Sequence, residues 1–69
     1  MSRFPVVFEK ADSNYSAYSP DLAGCIATGT SREQAEKNIK AAIRFHLAGL
    51  KEDGLVPPEP GSFVEYIEA

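Results

Sequence analysis

One change of period restricts this chain more than anything else in it. From Ser31 to Asp53, Ala35, Ile39, Ala42, Ile43, Leu47 and Leu50 recur at spacings of three and four, with His46 on the same stripe. That pattern places them on one face of a helix. Arg32, Glu36, Lys37, Lys40, Arg44 and Lys51 fall on the opposite face, so only one side of the helix suits burial. A helix over residues 31–53 is roughly 34 Å long at about 1.5 Å per residue and takes a third of the 69 residues. The rest of the chain reads with period two or as turns. A small sheet must therefore cover the helix, which makes the fold class α+β.

The ends of the helix carry their own signals. Thr30 stands three residues before Glu33, and Ser31 three before Gln34; either pair makes a capping box. Glu33–Lys37 and Glu36–Lys40 add favourable pairs of about 0.2–0.5 kcal/mol each. Gly49 costs up to about 1 kcal/mol against alanine and allows something to approach closely. Gly54 suits a helix stop, and Pro57 and Pro58 forbid continuation.

Before the helix, "RFPVVFEK" predicts a strand over 3–9, with Phe4, Val6 and Phe8 on one face and Val7 and Glu9 on the other. Pro5 cannot donate to a ladder, so this strand starts there or has a free edge. "ADSN" is a turn by composition, and "YSAYS" predicts a second strand over 15–19. "PDLAG" reverses the chain again: Pro20 fixes its own φ, Asp21 bonds nearby backbone and Gly24 accepts positive φ. "CIATG" predicts a third strand over 25–28, Cys25 and Ala27 on one face, Ile26 and Thr28 on the other. Past a proline-rich connector, "FVEYIEA" predicts a fourth strand over 63–67. The expected order is strand, strand, strand, helix, strand, in one domain spanning 1–69.

Composition narrows the function. Cys25 is the only cysteine, which excludes a disulfide framework and points to a reducing, cytoplasmic setting. His46 is the only histidine, and no ligand cluster exists, so neither metal nor cofactor is expected. The formal charge of -3 argues against direct binding of nucleic acid and for a basic partner. No apolar run approaches the ~20 residues that cross a bilayer, and the N-terminus lacks a signal-peptide pattern.

The stretch "YSAYSPDLAGCIATGTSREQAEKNIKAAIRFHLAGLKEDGLVPPEP" resembles the HicB-like antitoxin family. The resemblance rests on the order of its parts: a Tyr-rich strand, Pro-Asp-Leu-x-Gly-Cys, a small-residue strand, a helix opening Ser-x-Glu-x-Ala, then Asn-Ile-x-x-Ala-Ile and a Pro-rich stretch after Gly54. It implies a partial ribonuclease H-like fold of three antiparallel strands, a helix and a fourth strand. It also implies a partner: HicA, a small basic toxin that cleaves mRNA and that the antitoxin neutralises by contact. Many members add a C-terminal DNA-binding domain. A chain ending at Ala69 leaves no room for one, so we expect a short, solitary member without direct operator binding.

The residue types agree with a binding module. Asp21 as a catalytic acid needs a second carboxylate or a metal nearby, and Glu9 and Glu65 make no cluster with it; its position suits a turn. Cys25 as a nucleophile needs a base and an electropositive setting, whereas a strand cysteine after glycine suits packing. His46 on an apolar stripe suits a half-buried helix residue. We therefore expect no enzyme. Tyr15, Tyr18 and Tyr66, with Asp21, are the expected partner contacts, since tyrosines anchor interfaces. A sheet covered by one helix leaves Val7, Ile26, and Tyr18 or Tyr66 on an open side, and its edges are free for strand addition, so a homo-oligomer is also expected. The alternative to a toxin partner is a stand-alone homo-oligomeric regulatory or scaffolding domain.

Overall fold

The computed structural model of the chain describes residues 3–69. It contains β1 (Val7–Lys10), β2 (Tyr15–Tyr18), β3 (Ile26–Gly29) and α1 (Arg32–Glu52). The three strands form one sheet in the order β1-β2-β3, antiparallel at both junctions. Among the described residues no helix is long and apolar enough to cross a membrane.

Three departures from the expected boundaries have physical causes. β1 starts at Val7 rather than residue 3, because Pro5 offers no N–H to a ladder. β3 starts at Ile26: Cys25 is spent on the turn, its N–H bonding the Leu22 carbonyl at 3.2 Å and its carbonyl accepting from Ser19 N at 3.1 Å. The fourth strand expected over 63–67 does not form. A strand needs a neighbouring backbone edge to satisfy its N–H and C=O groups, and no ladder reaches this segment, whose residues are all exposed.

The register sorts the side chains into two faces. Phe8, Ala17 and Ala27 align across the sheet on the helix side. The core gathers Ala17, Leu22, Cys25 and Ile39, with Phe4, Val6, Phe8, Ala27, Ala42, Ile43 and Leu47 packed around it. The alanines at the sheet centre are small, which lets α1 lie close. Gly29 brings it closer still. A β-carbon there would land on the backbone of Ala35, with Ala35 Cα and the Gln34 carbonyl carbon 2.9 Å away. Gly49 makes no such approach, since nothing lies within 4 Å of its β-carbon position.

The helix caps follow the sequence signals closely. Ser31 is the N-cap, its Oγ accepting from Gln34 N at 3.1 Å. The return bond goes one residue further out: Gln34 Oε1 accepts from Thr30 N at 2.7 Å and Thr30 Oγ1 at 2.9 Å. At the other end Gly54 has φ 73°. Leu55 N donates to Leu50 O at 2.8 Å and Gly54 N to Lys51 O at 3.1 Å, the two bonds of a Schellman motif.

Candidate functional site

The helix covers one face of the sheet, and no described element covers the other. Val7, Tyr18 and Ile26 lie in register across that open face, with Tyr18 38% and Ile26 64% exposed. Glu9, Ser16 and Thr28 form the next row. The result is an apolar row beside a polar one, on a pleated surface held rigid from behind by α1. Such a contiguous apolar row is rarely left bare on a lone domain.

The second surface feature is the segment after α1. Pro57, Pro58 and Pro60 stiffen it, and Asp21 ties it down. Asp21 Oδ1 accepts from Gly61 N and from Ser62 Oγ, both at 3.1 Å. Its other carboxylate oxygen is shut off from solvent and meets no donor among the described residues. Beyond that anchor Phe63, Val64, Tyr66 and Ile67 are exposed, Tyr66 to 96%. Val64 and Tyr66 flank a groove whose other wall is β1, together with Tyr15 and Arg32. The Arg32 guanidinium sits 5.7 Å from the centroid of the Phe8 ring, within cation–π range.

The four residues expected to touch a partner thus fall in different places. Tyr18 stands on the open face. Tyr15 aligns with Lys10 and Gly29 on the helix side and shares the β1 groove with Tyr66. Asp21 holds the C-terminal segment against the β2–β3 turn. Sequence reasoning missed its partners Gly61 and Ser62, forty residues away in the chain, because a Gly-Ser pair after prolines reads only as connector. It also missed Lys10 and Arg32 as the cations of the groove, since one read as a strand end and the other as solvated helix surface.

Cys25 and His46 both line a second groove, along the C-terminal half of α1. Cys25 is buried, and burial pushes its thiol above the ordinary value of 9.0. A nucleophilic thiol is pushed the other way. The linkage has a definite sign. Below 9.0 the thiol is neutral in folded and unfolded chains alike; above it the unfolded chain ionises first, so stability falls as pH rises through that value. We expect Cys25→Ser to flatten this alkaline loss in urea melts across that range, and the native thiol to react slowly with a disulfide reagent until denaturant is added. Among the described residues no group of three or more His, Cys, Asp or Glu side chains is placed to hold a metal ion.

Comparison with known proteins places these features in a family context. Residues 4–69 match the family model described as the HicB-like antitoxin of bacterial toxin–antitoxin systems. The chain is 34% identical over 64 residues to an uncharacterised 14.9 kDa protein from the rep-hol intergenic region of Haemophilus phage HP1; the match takes in 93% of this chain and 48% of the phage protein. The chain therefore spans about half the length of that relative. A UPF0150 protein of Helicobacter pylori is 45% identical over 49 residues, 71% of this chain and 68% of that protein. The crystal structure of TTHA0281 from Thermus thermophilus superposes with a TM-score of 0.75 at 35% identity, over 91% of this chain and 82% of that one. A chain of a solved HicA3 and HicB3 toxin–antitoxin complex gives a TM-score of 0.70 at 27% identity, over 87% of this chain and 70% of that one.

Proposed function

The chain belongs to the HicB-like antitoxin family, and on that premise we propose that it is a non-catalytic binding module that neutralises a small basic toxin of the HicA type by direct protein contact in the cytoplasm. The observation that carries this reading is the likeness, in sequence and in fold, to a chain of the HicA3 and HicB3 complex. Two features of the chain support it. Its formal charge is -3, a sign that favours a cationic protein over nucleic acid. Its open sheet face presents Tyr18 between Val7 and Ile26, an aromatic anchor flanked by apolar side chains as in the centre of a binding patch. On this reading Tyr18 is the principal contact on that face. Tyr15, Asp21 and Tyr66 border the binding site from the β1 side, Asp21 by positioning the segment that carries Tyr66.

Co-expression with a HicA-type toxin tests the proposal. The chain is expected to relieve growth arrest and to co-purify with the toxin. Ile26→Asp places a charge on the open face without touching the core, because Ile26 is 64% exposed. It is expected to weaken the complex by roughly tenfold or more, the range of an interface anchor worth over 1 kcal/mol. A toxin that stays active and elutes alone contradicts the proposal.

A further inference from the structure

We propose that residues 63–67 are exchanged between two copies of this chain, the segment of each copy pairing along the outer edge of β1 of the other. The inference goes beyond toxin binding and does not depend on it.

β1 is the edge strand of the sheet, bonded only to β2. Its outer N–H and C=O groups are therefore a template for another strand. A groove of about 650 Å³ runs beside it. The lining of that groove takes Phe8 and Lys10 from the helix side of β1, Val7 from its open side, and Val6 just before it. Side chains from both faces of one strand meet in one groove only where it follows the strand's edge.

Residues 63–67 are built to fill such a place. Phe63, Glu65 and Ile67 alternate with Val64 and Tyr66, the period of a strand with two faces to pack. Among the described residues this segment pairs with no strand, and Phe63, Tyr66 and Ile67 are each at least 80% exposed. Its own position explains why. Asp21 pins Gly61 and Ser62, and Val64 and Tyr66 then line the same groove as Val7, Phe8 and Lys10 of β1 without pairing to them. The segment and the edge face each other across an open strip, each with an unpaired backbone.

A second copy closes the strip symmetrically. Its segment enters between β1 and the resident segment, and the resident segment does the same for it. The exchange is isologous and covers the outer edge of β1 in both copies. Charge agrees with this occupant. Glu59, Glu65 and Glu68 are the only charged side chains after Gly54, and the residues up to Gly54 balance, so the formal charge of -3 lies after Gly54, with Glu65 inside the exchanged segment and Glu68 directly behind it. The groove that receives it is rimmed by Lys10 and Arg32.

Light scattering coupled to gel filtration, run on the full chain at tens of micromolar, provides the test. The expected mass is twice the 7.5 kDa of one chain. Val64→Pro and Tyr66→Pro each remove a ladder donor from an exposed residue outside the core. Both are expected to give the single-chain mass with an unchanged helical circular dichroism signal, and a melting temperature that, unlike the wild type's, does not rise with protein concentration. In a sample mixing copies labelled with different isotopes, nuclear Overhauser contacts between Val64 or Tyr66 and Val7 or Phe8 are expected between copies. A wild-type monomer overturns the proposal. So does a dimer that survives both proline variants, or contacts confined to one copy.

Discussion

Replacing Gly29 with alanine is expected to lower the melting temperature by about 10 °C or more. The β-carbon would fall on the backbone of Ala35 and Gln34, and backbone at a capped helix start cannot swing aside as a flexible side chain does. Overpacking of this kind costs about 1–3 kcal/mol, occasionally more. Each kcal/mol moves the midpoint of a domain this small by roughly 4–8 °C. At about 0.05–0.15 kcal/mol per residue the whole fold is worth only some 3–10 kcal/mol, so the substitution removes a sizeable share. Gly49→Ala is the matched control. It lies in the same helix-bearing region but has nothing within 4 Å of the added carbon. There alanine is expected to stabilise by up to about 1 kcal/mol, the difference in helix propensity. Urea melts of the two variants should move in opposite directions.

The second large effect is expected at Ile39. Its side chain is 2% exposed and joins α1 to the core residues Ala17, Leu22 and Cys25. Ile39→Ala leaves a cavity that the small neighbours cannot fill, and such truncations cost about 2–5 kcal/mol. Ile39→Val should cost only about 0.5–1.5 kcal/mol. Denaturant titration followed by circular dichroism will read the difference as a lowered midpoint at unchanged slope. In a fold of this size Ile39→Ala is expected to leave a measurable unfolded fraction at room temperature.

How much of this was legible in the sequence depends on how local the cause is. The stripe from Ala35 to Leu50 and the caps at Ser31 and Gly54 are short-range patterns, and each appears in the structure within a residue of its expected place. The alternation of Phe4, Val6 and Phe8 against Val7, and of Ala27 against Ile26, likewise assigned the buried and open faces. Gly29 was different. Its constraint comes from Ala35 approaching across the strand–helix turn, and a glycine at a strand end reads only as a stop. The tie from Asp21 to Gly61 and Ser62 was hidden for the same reason: a carboxylate after proline explains itself locally as a turn maker. Residues 63–67 show the opposite error. Their alternation is a true strand pattern, but a pattern states what a segment can pair as, and says nothing of whether an edge lies within reach. Of the expected contacts, Tyr15 and Tyr66 meet at one groove while Tyr18 stands on another face, a separation that only the register reveals.

The most direct measurement is calorimetric titration of the purified chain into a HicA-type toxin, at low and at moderate salt. The account predicts saturable binding that weakens as salt screens the net negative charge of the chain and drops further in Ile26→Asp. The absence of binding heat at both salt concentrations, with both proteins folded, would contradict it.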